Sequence, residues 1–532
     1  MKLGIDFGTT RIVVAAADRG NYPVVSFDAP DGETRDWYPP TIAFGPDAIA
    51  YGWEAFTHQA DAGWTLVRSM KRELHGAGPH TRMAAGGQNV LILDLLTGLA
   101  QSLAKALRES SNAGIKAAEP LEVALGIPAN ANSNQRYLTA EAFRRGGFTV
   151  LGMLNEPSAA SVEFAHRHRQ DQTAGREETI LVYDLGGGTF DASILKTADK
   201  ENVVVSTAGL PHFGGDDFDE MIAELALDED RRGLLDAGES FRLLEECRER
   251  KEAIKPTTKR ITVDLDSVRS GWGSVNIAVG LFESLARPRI QQSVDVVEEL
   301  IRSLGPASSL DALYVTGGGS ELPLVSRMLR ESFGRSVKRS AYTRAATAIG
   351  LAIHADDRPG AVVRDRFGRA FGVWREADSG RRAWLDVIFE RGTVLPFDKQ
   401  TPLVRERRYY PVHNIGHFRY LEAADVTRDG EPAGDLAFWD EIRFPFDPAL
   451  ATLTDLSQVP VEHSEIAQSQ EIHERFICDA NGAVRVELSN ATGHYTRSFD
   501  LARWAQNNET VKPGTKRRRT RAAGPAKDEE NR

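Results

Sequence analysis

Two glycine-rich turns, far apart in the chain, repeat one pattern: an apolar strand ending in Asp, an apolar residue, Gly, then Thr. The first is Lys2-Leu3-Gly4-Ile5-Asp6-Phe7-Gly8-Thr9-Thr10, and the second is Ile180-Leu181-Val182-Tyr183-Asp184-Leu185-Gly186-Gly187-Gly188-Thr189-Phe190-Asp191. Alternating apolar residues follow both, so each reads as the same β-hairpin unit. Glycine puts no Cβ between backbone N–H groups and an approaching phosphate. A facing pair of such turns can hold a polyphosphate, with Asp6 and Asp184 near its metal. Magnesium prefers oxygen ligands and keeps several waters, so these carboxylates are expected to act through water. A third turn, Gly317-Gly318-Gly319, follows another apolar strand, and the Gly-x4-Gly-Lys-Ser/Thr pattern of a P-loop is absent.

A chain of 532 residues exceeds one hydrophobic core and predicts about two to four domains. Its hydrophobic share of 41% and charged share of 27% are those of an ordinary globular protein. A net charge of -11 argues against general nucleic-acid binding. Cys247 and Cys478 are too few for a disulfide framework and read as reduced thiols. No apolar run reaches the length of about 18 residues needed to cross a membrane. The N-terminus begins on a strand without a signal-peptide pattern, so the cytoplasm is the expected location.

Periodicity divides the chain. Helical spacing is predicted over residues 91–109, Ser133 to Arg145 (with Ser133 as a cap), from Asn155-Glu156-Pro157-Ser158 onward, Ser240 to Ile254, Val294 to Leu304, Leu324 to Phe333 and Ala345 to His354. Strands are predicted at Leu121 to Ile127, Val150 to Leu154, Val203 to Ala208, Ile261 to Leu265 and Ala312 to Val315. This alternation implies an α/β fold in two lobes, about 1–172 and 178–355, with a polar break at 173–178. A linker is expected over 356–366. From 367 to 504 short alternating runs replace helical spacing and predict an all-β sandwich, with Asn481-Gly482 as a hairpin turn. Residues 505–532 read as a disordered basic tail.

These motifs resemble those of the 70-kDa heat-shock chaperone family. The resemblance rests on Gly4 to Thr10, Asn155 to Ala160, Asp184 to Asp191, Phe213-Gly214-Gly215-Asp216-Asp217-Phe218-Asp219, and Ile127-Pro128 with Gln135-Arg136. It covers residues 2–355 and extends more faintly over 367–501. It implies an actin-like ATPase fold, two lobes with duplicated ribonuclease-H-like cores and a nucleotide between them. It further implies ATP or ADP with Mg2+ as cofactor, and slow hydrolysis coupled to an unfolded or dedicated polypeptide client. Carried over by position, Asp6, Glu156 and Asp184 surround the metal. Gly8, Thr9, Thr10, Gly186, Gly187, Gly188, Gly214, Gly215, Asp216, Lys251, Gly317, Gly318, Gly319 and Arg344 hold nucleotide. Lys71, Glu156, Thr189 and Asp191 serve the chemistry, and Pro128 and Arg136 relay nucleotide state towards the β domain.

Several positions depart from the family pattern. Its adenine-stacking arginines fall near Glu252 or Ala253 and at Glu321, so altered base selectivity is expected, with Arg344 or Lys251 as substitutes. The linker segment Val362-Val363-Arg364-Asp365 is half charged where the family is leucine-rich. Gly152-Met153-Leu154 lacks the basic residue used by J-domain partners, and no helical lid is expected after the β domain. Two other readings remain at this point. A nucleotide-gated scaffold would bind one dedicated partner without hydrolysis. An actin-fold small-molecule kinase would use Asp191 in an acceptor pocket.

Overall fold

The computed structural model describes residues 1–168, 177–198, 201–305, 309–356, 362–377, 382–396, 401–427, 430–479 and 482–501. Most of the expected polar break, the linker residues 357–361, Asn481 of the expected hairpin turn and the tail 505–532 lie outside these.

β1 (Lys2–Phe7) and β2 (Ile12–Ala16) pair antiparallel across the first glycine turn. A short helix α1 (Met70–Glu73) and a long one, α2 (Ile92–Glu109), follow. Leu95, Leu96, Leu99, Leu103 and Leu107 recur at helical spacing and are buried, which docks α2 on the sheet. β3 (Leu121–Ile127), α3 (Ser133–Arg145), β4 (Phe148–Asn155) and α4 (Glu156–Arg167) complete the layer. The sheet runs β4-β3-β1-β2. Asn132, not the expected Ser133, caps α3: its side chain accepts the Gln135 N–H while the Gln135 side chain accepts the Asn132 N–H. Pro157 sits in the first turn of α4, where its missing N–H costs nothing.

The second layer begins with the meander β5 (Glu178–Leu185), β6 (Phe190–Ala198) and β7 (Glu201–Leu210). Helices α5 (Gly215–Ala226), α6 (Ala237–Glu252) and α7 (Val279–Ser303) lead to β8 (Ala312–Thr316), α8 (Pro323–Phe333), β9 (Val337–Arg339), α9 (Ala346–Ala355) and β10 (Val362–Arg364). The sheet order is β9-β8-β5-β6-β7-β10. The helix expected from Val294 starts at Val279 and runs through Pro288. Phe282 and Ala286 continue its buried face, so packing overrides the proline.

α9, expected with the second lobe, packs instead on β1, β2, β3 and α4. α4 in turn reaches β5 and β6 of the second sheet. The two helices cross between the layers, with Val162, Ala348, Ile349 and Ala352 in one buried cluster and Ala160, Val182 and Ala346 in another. Gly350 makes the crossing possible: a Cβ there would lie 1.8 Å from the Ala159 carbonyl oxygen. β10, the charged linker, adds to the second sheet as a strand parallel to β7.

The remaining strands are β11 (Ala370–Ala377), β12 (Arg382–Phe389), β13 (Leu403–Tyr409), β14 (Ile415–Val426), β15 (Pro432–Pro445), β16 (Ile472–Cys478), β17 (Val484–Asn490) and β18 (Tyr495–Asp500). They form two four-stranded sheets, β12-β11-β14-β15 and β13-β16-β17-β18. Phe371, Tyr420, Phe444, Phe476 and Val486 fill the space between them.

Candidate functional site

The two glycine turns meet. A Cβ on Gly187 would lie 2.6 Å from Thr10 Oγ1, and one on Gly188 would lie 2.6 Å from Thr9 Oγ1. Only glycine permits that approach, and it leaves the β1–β2 and β5–β6 turns facing each other across a cleft. The other glycine turns buttress the second. Gly215 N–H donates to Gly186 O (3.0 Å) and Asp216 N–H to Gly187 O (2.7 Å). A Cβ on Gly214 would lie 2.6 Å from Gly187. Gly317 adopts φ +82°, and a Cβ there would lie 2.4 Å from Asp184 Oδ1; one on Gly319 would lie 2.7 Å from Gly186 O.

The cleft is lined by Asp6, Gly8, Thr9, Thr10, Lys71, Glu156, Asp184, Gly186, Gly187, Thr189, Gly215, Lys251, Gly317, Gly318, Gly319 and Arg344. Gly188 and Gly214 support it from behind. Asp216 turns away: its carboxylate accepts from Arg68 and Ser69. Lys251 is held by Asp219 (2.6 Å) and donates to Gly215 O (2.7 Å).

At one end of the cleft, Lys71 projects from α1 and donates to Glu156, the first residue of α4; both are buried. Asp6, Asp184 and Asp191 complete a group with more negative charge than Lys71 neutralises. Burial, with Glu156 nearby, pushes Asp6 up to about 7 despite Lys71. The same two causes push Asp191 up to about 7. Asp184 rises well above the usual carboxylate range, through burial first and then Glu156, Asp6 and Asp191. Burial works against the Lys71 ammonium, but Glu156 and Asp6 outweigh it and hold Lys71 protonated. Among the described residues, no three His, Cys, Asp or Glu side chains converge into a metal cage.

The other end carries residues that sequence reasoning passed over. Arg11 donates to both Glu252 oxygens (2.9 and 2.7 Å). Arg344 donates to Glu252 (3.0 Å) and to Glu321 (2.9 and 2.7 Å). The two carboxylates at the expected arginine positions are therefore bound by two arginines from elsewhere. Arg11 and Arg248 both line the cleft and lie over the Trp37 ring, at 4.9 and 5.8 Å from its centroid. Arg11 directly follows Thr10, which was a usable signal; Trp37 carried none.

Behind Lys71 lies a second chamber of about 270 Å3, which shares Thr9, Lys71 and Thr189 with the cleft. Asp191 and Pro128 face this chamber, not the cleft. Its outer wall comes from the β-sandwich region, including Gly368, Arg369 and Arg391. The Ala129 backbone lies close enough to the Asp191 carboxyl to oppose its upward shift. A Cβ on Gly368 would lie 2.5 Å from Ala129 O. Arg136 donates to Asn155 Oδ1 (3.2 Å) and sits near Asp365 and Glu422. Asp365 accepts from Asn155 Nδ2 (2.7 Å) and from the Asn155 N–H (3.3 Å) at the start of α4. Glu422 accepts the Ser133 N–H (2.6 Å) at the start of α3.

Comparison with known proteins agrees with this geometry. The family model described as Hsp70 protein matches residues 99–365. The chain is 31% identical over 367 residues to the chaperone protein DnaK of Thermotoga neapolitana (strain ATCC 49049 / DSM 4359 / NBRC 107923 / NS-E). That alignment covers 66% of this chain and 59% of the relative, so the chain spans less than two thirds of the relative's length. Among the described residues, no helix is long and apolar enough to cross a membrane. The chain belongs to the Hsp70 family, whose members join an actin-like α/β fold to a β-sandwich.

Proposed function

We propose that this protein is an ATP-dependent, chaperone-like ATPase of the cytoplasm. Two lobes with duplicated ribonuclease-H-like cores (about 1–172, joined by α9, and 178–345) hold nucleotide, and a sandwich (367–504) binds polypeptide. The observation that carries the reading is the contact between the two glycine turns beside buried carboxylates that Lys71 alone does not balance.

The residues present fit magnesium–ATP. The facing turns offer backbone N–H groups where no Cβ could stand, and Asp6, Glu156 and Asp184 supply oxygen atoms. Magnesium keeps several of its waters, so these carboxylates would meet it through water. Bound magnesium–ATP would supply the transferable phosphoryl group from the nucleotide and the positive charge from the ion. Thr9, Thr10, Thr189 and the glycine turns bind phosphate, while Gly318, Lys251 and Arg344 stand towards the base. Lys71, kept protonated by Glu156, positions the attacking water and neutralises developing charge. Asp191 orders that water from the chamber side. Pro128 and Arg136 connect this end to the sandwich through Ala129 and Asn155.

Polypeptide would occupy the open groove at the loop end of the sandwich, between the ends of β11–β12 and of β13–β14. A J-domain protein and an exchange factor are the partners this reading implies. Single-turnover ATP hydrolysis tests it. Slow phosphate release without an added acceptor is expected, with a loss of about a hundredfold or more in Lys71→Ala. Hydrolysis unchanged in Lys71→Ala would remove Lys71 from the mechanism, and acceptor dependence would overturn the ATPase reading.

A further inference from the structure

The chamber behind Lys71, at about 270 Å3, is several times the share of roughly 30 Å3 that one water takes. Its walls hold four cations, Lys71, Arg72, Arg369 and Arg391, against two carboxylates, Asp191 and Asp435. Three of the cations are closely matched. Lys71 donates to Glu156, Arg72 donates to Asp217 (2.7 Å), and Arg369 pairs with Asp435 (3.0 Å). Arg391 is matched poorly. It donates to two carbonyl oxygens, those of Thr207 (3.1 Å) and Ala424 (3.5 Å). The carboxylate beside it, Asp425, is 3.7 Å away and 65% exposed. A pair that exposed is weak, so the positive charge of Arg391 is left largely unanswered.

Neutral groups on the walls point the same way. Gln135 is only 8% exposed, and its orientation is fixed: Oε1 accepts the Asn132 N–H (3.0 Å) in the cap of α3. Its Nε2 group is left to the chamber and meets no acceptor among the described residues. Asn130 lines the same space, and its side-chain amide likewise has no acceptor among the described residues. Buried donors without partners are rare and call for an acceptor from elsewhere. The partition towards the cleft consists of Thr9, Lys71 and Thr189, and each of the three can donate. A tetrahedral oxyanion suits such walls, because it brings several acceptor oxygens and negative charge in one small body.

We propose that this chamber binds orthophosphate, which enters from the cleft past Thr9, Lys71 and Thr189 and is held by Arg391, Asn130 and Gln135 while the sandwich closes the outer wall. This rests on the reading of the cleft as an ATPase site, and the test separates the two. In that reading, water attacks the γ-phosphorus and its bond to the bridging oxygen breaks. ADP keeps that oxygen and the electron pair. Orthophosphate takes the water oxygen and one proton, and the other proton passes to solvent.

Equilibrium dialysis of radiolabelled orthophosphate tests the site. The full-length protein is first saturated with magnesium and a non-hydrolysable ATP analogue, which fills the γ-phosphate position and leaves the chamber open. About one equivalent of phosphate binds, and binding weakens by about tenfold in Asn130→Asp and in Arg391→Leu, which alter opposite walls. Retained affinity for the analogue shows that each variant is folded. No bound phosphate, or binding unmoved by both variants, overturns the proposal and leaves a chamber of water. A single turnover of ATP tests the route, comparing bond cleavage in acid-quenched samples with free phosphate seen by a fluorescent sensor. Release lags cleavage in the wild type, and the lag shortens in both variants. Release simultaneous with cleavage overturns the route from the cleft, so that any phosphate bound in dialysis comes from solution. Absence of cleavage overturns the ATPase reading together with the route, and dialysis alone then decides the site.

Discussion

Lys71 stands among carboxylates that would not stay ionised together without a second cation. In metal-free protein the sign of the resulting pH dependence follows from Asp6 and Asp191. Both rise from 3.8 to about 7 on folding, chiefly through burial. A carboxyl raised in the folded state contributes stability that is fully present below about 3.8 and is lost as pH rises through about 7. The melting temperature of metal-free protein should therefore fall as pH rises from about 5 to about 8, and Asp191→Asn should flatten that slope. A slope identical in the variant would show that Asp191 ionises freely. At this scale the phosphate side was legible, because glycine, threonine and aspartate sit in short local patterns. The base side was not. Glu252 and Glu321 read as losses, yet each is held by an arginine distant in sequence, and only folding brings Arg11 and Arg344 to them. Asp216 likewise matched a motif but pairs with Arg68 and Ser69 instead.

Among the elements, the crossing of α4 and α9 sets the spacing of the two layers. Gly350 meets the Ala159 carbonyl, and Gly4 on β1 meets α9, where a Cβ would lie 2.2 Å from Ala352 N. The obstructing atoms are backbone, so no side chain can rotate away. Gly350→Ala should destabilise the protein by about 3 kcal/mol, the upper end of ordinary overpacking, read by denaturant unfolding. A loss below about 0.5 kcal/mol would mean that the helices slide apart freely. Element types followed from periodicity wherever one face is apolar, as in α2. Their partners did not: the composition of α9 (Ala-Thr-Ala-Ile-Gly-Leu-Ala-Ile) announces burial on all sides without saying between which layers. The start of α7 was hidden by Pro288, a local signal that the buried face of Phe282 and Ala286 overrides.

Across the whole molecule, the sandwich is attached through two helix starts. Glu422 accepts from the first turn of α3, and Asp365 from the start of α4. Negative groups are favoured at both places by the exposed N–H groups and the helix dipole. The linker, half charged where the family is leucine-rich, therefore docks as strand β10 with its aspartate as a plug. Gly368 fits against Ala129 between these contacts. Gly368→Val should force the sandwich outward and free the Ser133 amide, raising its hydrogen exchange by about tenfold, as should Glu422→Ala. Unchanged exchange at Ser133 in both variants would mean that the contact does not persist in solution. Such long-range pairs have no local signature, which is why the linker's charges were legible but their destination was not.

The chamber behind Lys71 has walls from both layers and from the sandwich, and only a few side chains separate it from the cleft between the glycine turns. Movement of the sandwich is then also a change of medium. With Gly368, Arg369 and Arg391 in place, Lys71 and Asp191 face a confined, weakly screening space. Once those residues leave, bulk water reaches the rear of both groups, and the field Lys71 exerts on the phosphate end weakens without any displacement of Lys71 itself.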